Sequence, residues 1–433
     1  MINIKRKAFE SLVSWKEDVN RKPLVIKGAR QVGKTWLMEE FGKREYENYV
    51  YFSFDEEEEL SSIFQRNKNP HRIVELLGLL KGTKIHPNKT LIILDEIQEC
   101  SAALNSLKYF NEKANEYHII TAGSLLGTLL ARPKSYPVGK VNLLNLYPLT
   151  FGEFTEAIDS SLFQYYCKIQ KGQAVEEIFH NRLLELYKYY LIIGGLPECI
   201  SSWIQHKNPE MINQIQKELI SLYENDIAKH NNRVNSGRIL LIFRSIVSQL
   251  SKGNQKFIYS NIAKGARGRE YEEAIEWLVS AGIVNRIHNV TKPEHPLKAF
   301  EQLDYFKLFF FDTGLLKQMA GLDNQAILLE GDFQFRGVLA ENFVLQQLIE
   351  SSISTPYFYA TKNAEIDFLV EIGTDVIPVE VKAGEAKKAA SFKNYIKNKQ
   401  PAKAIRISKR GYVKDGEITN LPFYLTNRIK ELI

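Results

Sequence analysis

The sequence predicts a multidomain α/β protein: a parallel sheet with helices on both faces, then a helical and winged-helix middle region, then a second α/β domain. Apolar strands alternate with amphipathic helices between residues 24 and 124. Helical periodicity dominates residues 151–229, and a helix followed by two strands occupies residues 335–384. At 433 residues the chain exceeds one ordinary core, so we expect two to four domains.

The composition excludes several classes of protein. Apolar residues make up 44% of the chain and charged residues 25%, which is typical of a soluble globular protein. The first residues, MINIKRKAFESLVSW, contain no apolar signal region, and no stretch reaches the roughly 18 apolar residues of a membrane span. Three cysteines without CxxC spacing argue against a disulfide framework and a zinc site. We therefore expect a cytoplasmic protein with no membrane partner.

Residues 28–35 have the sequence GARQVGKT, which matches the pattern GxxxxGK[ST] between an apolar strand and a helix. Glycines at the first and sixth positions let the backbone amides turn toward a polyphosphate. The lysine then reaches the β and γ phosphates, and the threonine hydroxyl binds Mg²⁺. The predicted nucleotide-binding residues are Gly28, Ala29, Arg30, Gln31, Val32, Gly33, Lys34, Thr35 and Trp36, with Lys34 also catalytic and Thr35 also a metal ligand.

A second signal follows at KTLIILDEIQEC, where a continuous apolar strand ends in Asp95 and Glu96. Asp95 is positioned to hold Mg²⁺ through water, and Glu96 to polarise the attacking water. Together with the phosphate loop, this pair predicts an ATP or GTP hydrolase. Ser124, at the end of the next strand, is the candidate sensor of the γ phosphate, although a serine at a strand end is usually a cap.

The middle of the chain favours a winged helix. Helices RILLIFRSIVSQL, YSNIAKGA and YEEAIEWLVSAGI are followed by strands VNRIHNV and KLFFFDTGL. The third helix occupies the place of a DNA-recognition helix, but Glu270, Glu272, Glu273 and Glu276 fall on its exposed positions. Since carboxylates repel a phosphate backbone, a scaffold or partner-docking role is favoured over a DNA reader.

The carboxy-terminal region combines acidic residues with a lysine. Glu341 lies within the apolar face of the helix FRGVLAENFVLQQLIE, and Asp367 lies on the first strand of a predicted hairpin. On the second strand, Glu380 and Lys382 are two residues apart and leave the same face. Asp367 and Glu380, with Glu341 nearby, are predicted to bind divalent ions while Lys382 stabilises an attacked phosphate. The alternative is a surface hairpin whose polar residues face water.

This D…ExK arrangement resembles the PD-(D/E)xK nuclease superfamily, in which Glu341 matches an acidic position on the first helix. The whole chain resembles a family of bacterial and archaeal AAA-type ATPases with a carboxy-terminal domain of uncharacterised function and a nuclease-like core. The segments that carry this resemblance are GARQVGKT, LIILDEIQ, TAGSLLG, LYPLTFGEF, GGLPE, FFFDTGL, GVLAENFV, AEIDFLV and PVEVKAG. It implies an ATPase domain at 1–155, a helical region at 156–234, a winged helix at 235–315 and a nuclease-like domain at 325–433.

The resemblance also implies ATP as the nucleotide and a trans-acting arginine before the LYPL segment. This chain has Gly139 and Lys140 there, so Arg132 is the fallback, because lysine lacks the bidentate fork of arginine.

Two functions are compatible with these observations. The first is an ATPase, with ATP and Mg²⁺ as cofactors, whose nucleotide state controls a nuclease-like domain that acts on DNA. The second is a slow ATPase switch with an inactive carboxy-terminal binding domain. A protein partner or a second copy of the chain is expected in either case. From Lys382 to Arg410 there are ten lysines and arginines against one acid, which is weak support for nucleic acid.

Overall fold

The computed structural model describes residues 4–57, 59–123, 126, 139–229, 233–253, 255–329, 335–351, 355–361, 365–384 and 389–433. The chain packs into two compact units. The amino-terminal unit consists of Lys5–Tyr147 and Ser280–Ile283, and the carboxy-terminal unit consists mainly of Pro148–Val279 and Val284–Ile433. The finer division into four domains stays a prediction.

The amino-terminal unit contains a five-stranded parallel sheet with the strand order β2-β3-β4-β1-β5. The strands are β1 (Leu24–Lys27), β2 (Asn48–Ser53), β3 (Thr90–Asp95), β4 (His118–Gly123) and β5 (Asn142–Asn145). The helices are α1 (Ala8–Glu17), α2 (Lys34–Glu45), α3 (Leu60–Arg66), α4 (Pro70–Lys81) and α5 (Ser101–Lys113). The predicted parallel sheet is therefore present, and the ends of β1 and β3 open on the same edge of it.

Local sequence explains these elements. Every residue of β3 and β4 is buried, as expected for central strands of a covered parallel sheet. Helix α4 begins where the Asn69 side chain accepts hydrogen bonds from the backbone of His71 and Arg72, and it ends at Gly82, whose φ is +63°. Leu107 of α5 belongs to the core beneath the sheet, where truncation to alanine typically costs about 2–5 kcal/mol.

The carboxy-terminal unit contains an eight-stranded mixed sheet with the order β12-β13-β11-β10-β9-β8-β6-β7. Its strands are β6 (Val284–Val290), β7 (Glu301–Phe310), β8 (Tyr357–Ala360), β9 (Glu365–Ile372), β10 (Asp375–Lys382), β11 (Ala404–Ser408), β12 (Val413–Asp415) and β13 (Ile418–Pro422). The helices before the sheet are α6 (Phe151–Ile158), α7 (Ser160–Lys168), α8 (Glu177–Ile193), α9 (Pro197–His206), α10 (Pro209–Lys229), α11 (Arg233–Leu250) and α12 (Gly268–Ser280). Between and after the strands lie α13 (Thr313–Met319), α14 (Asn324–Leu328), α15 (Arg336–Glu350), α16 (Ala389–Lys399) and α17 (Ile429–Leu432).

Two elements of the predicted winged helix differ from expectation. The segment YSNIAKGA forms a single 3₁₀ turn, Tyr259–Asn261, rather than a helix. The strand predicted over KLFFFDTGL ends at Phe310, because the Asp312 carboxylate caps helix α13 by accepting from the Leu315 amide at 3.0 Å. The β6–β7 ribbon joins β8 through the pair Asn289 and Phe358, so it forms the edge of the larger sheet.

In the described part of the chain, no helix has the length and apolar composition needed to cross a membrane.

Candidate functional site

The loop between β1 and α2 is tightly curved and closely covered. Gly33 has φ +91° and Gln31 has φ +63°, so two of its residues adopt the left-handed conformation. A Cβ on Gly28 would lie 2.2 Å from the carbonyl oxygen of Leu146, which follows β5. Only glycine fits at that position without moving the neighbouring backbone.

Lys34 lies at the start of α2 with 7% of its surface exposed. Its Nζ donates to the carbonyl oxygens of Gly28 at 3.1 Å and Ala29 at 2.9 Å, so the side chain folds back across the loop. Burial lowers the pKa of Lys34 to about 8, although the carboxylates of Glu96 and Asp95 favour its charged form. A buried amine that donates to two carbonyl oxygens thus lies inside the loop, and its contact with nucleotide phosphates stays a prediction.

The two predicted motifs meet at Asp95. The Thr35 hydroxyl donates to Asp95 Oδ2 at 2.6 Å, and the Tyr51 hydroxyl donates to the same oxygen at 3.1 Å. The other oxygen, Oδ1, accepts from the Glu96 amide at 3.0 Å. Asp95 is 3% exposed and therefore held in one orientation. Sequence reasoning missed Tyr51, whose alternating position in β2 gave no signal of this contact.

Glu96 follows Asp95 with φ +48°, which turns its side chain out of the strand direction. The Gln98 amide donates to the Glu96 carboxylate. A Cβ on Gly123, at the end of β4, would lie 1.9 Å from Gln98 Oε1, so Gln98 packs directly against that strand end. Gln98 thus contacts both Glu96 and the end of β4, and the sequence motifs did not indicate this residue.

The remaining predicted loop residues vary in burial. Ala29 and Val32 are buried, Arg30 and Trp36 are half-buried, and Thr35 and Gln31 are exposed. Arg6, which precedes α1, supports the loop because its Nη1 donates to the Val32 carbonyl at 2.9 Å. Ser124 and Arg132 lie outside the described residues.

Lys140, which stands where the resemblance implies an arginine, forms an ion pair with Glu112 of α5 at 2.9 Å. Lys140 thus has an ion-pair partner within the amino-terminal unit.

The hairpin β9–β10 brings together the second set of predicted residues. The last antiparallel pair is Val379 with Phe368, so Glu380 and Asp367 come next on the two strands. Asp367 Oδ2 accepts from the Val381 amide at 2.7 Å, and Glu380 contacts Lys382 Nζ. Burial, together with the neighbouring Asp367, raises the pKa of Glu380 to about 8.

Helix α15 adds Glu341 to this cluster. Burial and the charge of Asp367 raise the pKa of Glu341 to about 8, and burial raises the pKa of Asp367 as well. Glu341 also forms a hydrogen bond with the Gln255 side chain. We refer to Glu341, Asp367 and Glu380, together with Lys382, as the carboxylate cluster.

The cluster also contains a lysine that the sequence motifs did not indicate. Lys307 of β7 is 1% exposed, and its Nζ contacts Glu365 at 3.2 Å and Gln255 at 3.4 Å. Its charge opposes the rise in the pKa of both Asp367 and Glu341. The sequence did contain one indication of this contact: Lys307 directly precedes the apolar run LFFF, and a buried lysine needs a polar partner.

The carboxylates of the cluster already have partners within the chain. Across the described residues, no group of three or more His, Cys, Asp or Glu side chains is placed to hold a metal. Glu380 and Glu365 each pair with a lysine, and Asp367 accepts from a backbone amide. Metal ligation by Asp367 and Glu380 stays a prediction.

Three families match successive parts of the chain. Residues 20–155 match the AAA domain, residues 184–326 match a domain of unknown function (DUF8612), and residues 336–424 match another domain of unknown function (DUF4143). No curated protein matches the chain. Residues 20–155 are thus similar to an AAA domain, in agreement with that part of the resemblance.

Solved structures include several similar chains. The Walker-type ATPase PABY2304 of Pyrococcus abyssi is 15% identical, with 73% of this chain and 96% of that one covered at a TM-score of 0.48. The Aeropyrum pernix ORC1 protein in complex with DNA is 12% identical, with 73% and 91% covered at 0.30. AMPPCP-bound DnaA from Aquifex aeolicus is 17% identical, with 64% and 87% covered at 0.28. At these values, no property of the three proteins is transferred to this chain.

Proposed function

We propose that this chain is a Mg²⁺-dependent ATPase whose nucleotide state controls a nuclease-like carboxy-terminal unit that acts on DNA. The observation that carries the proposal is the hydrogen bond between Thr35 and Asp95. It joins the phosphate loop to the acidic strand end, directly beside the buried ammonium of Lys34. A chance glycine-rich turn has no reason to be linked to such a strand end.

The residues of the loop suit a polyphosphate and its metal ion. Gly28 packs directly against the backbone of Leu146, so the loop can hold its curved conformation only with glycine there, and Lys34 supplies the cation. Thr35 and Asp95, which are joined by a hydrogen bond, would hold Mg²⁺, Thr35 through its hydroxyl oxygen and Asp95 through water, since Mg²⁺ prefers oxygen ligands. Bound MgATP supplies the phosphoanhydride bond that is hydrolysed.

Glu96 is the proposed base. It polarises the attacking water, and Gln98 holds its carboxylate in place. Ser124 remains the proposed sensor of the γ phosphate, and Arg30, Gln31, Val32 and Trp36 complete the proposed nucleotide-binding segment.

The nuclease-like part of the proposal rests on the order of elements. Helix α15 is followed by β8, β9 and β10, then by α16 and β11, with β10 and β11 parallel. This is the helix, hairpin and later basic helix that the resemblance implies. Asp367 lies on β9, and Glu380 and Lys382 lie on β10, which supports the proposal.

The second candidate, an ATP-dependent switch without cleavage, is favoured by the partners within the carboxylate cluster. Lys307 and Lys382 already compensate its negative charge. Helix α12 is also unsuited to DNA, because Glu270, Glu272, Glu273 and Glu276 are exposed and Arg286 pairs with two of them. A protein partner or a second copy of the chain would then receive the signal.

The ATPase is tested with purified full-length protein and MgATP. We expect hydrolysis in the wild type, loss of at least about 100-fold in Lys34→Ala and Glu96→Gln, and no change in Lys89→Ala. Lys89 is a matched control because it pairs with Glu47 at the surface of the same unit. Hydrolysis that survives Lys34→Ala would refute the proposal.

A further inference from the structure

Asp95, at the end of β3, accepts hydrogen bonds from two other elements of the amino-terminal unit. Its Oδ2 atom accepts from the Thr35 hydroxyl of α2 at 2.6 Å and from the Tyr51 hydroxyl of β2 at 3.1 Å. Its Oδ1 atom accepts from the Glu96 amide at 3.0 Å. Since a carboxylate offers about four lone-pair sites, the two hydroxyls occupy both sites of Oδ2. Tyr51 thus shares one oxygen with the predicted metal ligand Thr35.

The Tyr51 contact follows from the register of the sheet. Strand β2 runs parallel to β3, and the residue opposite Asp95 is Ser53. Val50 and Phe52 enter the core on one face of the sheet. Because successive side chains of a strand alternate between its faces, Tyr51 and Ser53 project from the other face, which Asp95 shares. The ladder between the two strands therefore fixes the phenol beside the carboxylate.

Helix α2 packs on the same face of β2 as this tyrosine. A Cβ on Gly42 would lie 2.9 Å from the Cβ of Tyr49, so the helix backbone lies directly against the strand. Tyr49 is two residues before Tyr51 and shares its face, and Gly42 lies about two helical turns after Thr35. Thr35 and Tyr51 therefore reach Asp95 from two elements that are packed against each other.

We propose that Tyr51 is a positioning residue for the magnesium site and acts through Asp95. The inference rests on the proposed ATPase function, in which Thr35 and Asp95 hold Mg²⁺ beside the nucleotide. A neutral hydroxyl on Oδ2 fixes the orientation of the carboxylate without neutralising its charge. Since hydrogen bonds to metal-binding side chains typically contribute about 10–100-fold in metal affinity, loss of the Tyr51 hydroxyl should weaken Mg²⁺ binding by about tenfold.

The test measures the affinity of full-length protein for a fluorescent, non-hydrolysable ATP analogue by anisotropy, once in EDTA and once in saturating Mg²⁺. The ratio of the two Kd values reports how much better the metal ion is held in the complex than on free nucleotide. Tyr51→Phe should match the wild type in EDTA and bind about tenfold more weakly in Mg²⁺. The matched control is Tyr46→Phe, which removes a hydroxyl that contacts His118 Nδ1 at 2.7 Å and should keep the wild-type ratio.

Equal ratios for the wild type and Tyr51→Phe would overturn the proposal. An equal weakening of Tyr51→Phe in EDTA and in Mg²⁺ would also overturn it, because the hydroxyl would then support the phosphate loop in general rather than the metal site. A wild type whose affinity does not rise with Mg²⁺ would overturn this inference together with the magnesium site of the proposed ATPase. By contrast, a wild type that gains affinity with Mg²⁺ without hydrolysing ATP would remove the ATPase alone, and the ratio for Tyr51→Phe would still decide the role of Tyr51.

Discussion

Replacement of Lys307 by methionine tests whether this buried ammonium stabilises the carboxylate cluster. The substitution keeps an unbranched side chain that is one atom shorter but leaves Glu365 without the cation at 3.2 Å. It also removes the charge that opposes protonation of Asp367 and Glu341. Removal of one partner from a buried pair typically costs about 3–5 kcal/mol, and Glu365 is one-third exposed, so we expect about 3 kcal/mol.

Urea denaturation at pH 7 measures this loss in the free energy of unfolding. For a domain of this size the melting temperature should fall by about 6–12 °C. The exposed control Lys252→Met should stay within about 0.5 kcal/mol of the wild type. A Lys307→Met variant as stable as the wild type at pH 7 would refute this interpretation of the cluster.

Three further predictions concern other parts of the chain. Gly28→Ala should abolish the stabilisation by MgATP in thermal melts, because the new Cβ would lie 2.2 Å from a carbonyl oxygen. The control Gly237→Ala lies on a helix with open space around it and should raise the free energy of unfolding by about 0.5–1 kcal/mol. A melting-temperature shift with MgATP that is retained in Gly28→Ala would contradict the loop geometry. Asp312→Ala should lower the free energy of unfolding by about 2–4 kcal/mol in urea, since the buried amide of Gly195 loses its acceptor at 2.7 Å, and a loss below about 1 kcal/mol would contradict this role. Burial lowers the pKa of Lys317 to about 8 from 10.5, so the unfolded chain binds this proton more tightly and stability should rise by up to about 3 kcal/mol between those pH values. Lys317→Met should flatten that rise in denaturation curves measured across this range, and an unchanged slope would count against it.

The elements of the amino-terminal unit were largely predictable because their signals are local. Apolar runs fixed β1 and β3 to within a residue or two, and the glycine spacing located the loop before α2. The glutamates predicted on the exposed face of α12 are indeed exposed. Strand periodicity also predicted that Glu380 and Lys382 leave the same face of β10, and the two side chains are in contact.

Contacts between distant parts of the chain were not predictable in the same way. Lys307 contacts Glu365 across 58 residues of sequence, and Gln255 reaches Lys307 from outside any regular element. The β6–β7 ribbon extends the sheet through a parallel pair with β8, which no periodicity in either strand encodes. The strand predicted over KLFFFDTGL ends early because Asp312 caps helix α13. This capping interaction outweighs the strand preference of the apolar residues before it.

The central claim is that nucleotide state in one unit governs chemistry in the other. The direct measurement is cleavage of labelled single-stranded, duplex and branched DNA, with Mg²⁺ or Mn²⁺, in the presence and absence of ATP. We predict that wild type cleaves in an ATP-dependent manner, that Lys34→Ala removes the dependence, and that Asp367→Ala/Lys382→Ala removes cleavage while ATP hydrolysis continues. ATP hydrolysis with no cleavage of any substrate would contradict the claim and leave the ATP-dependent switch in its place.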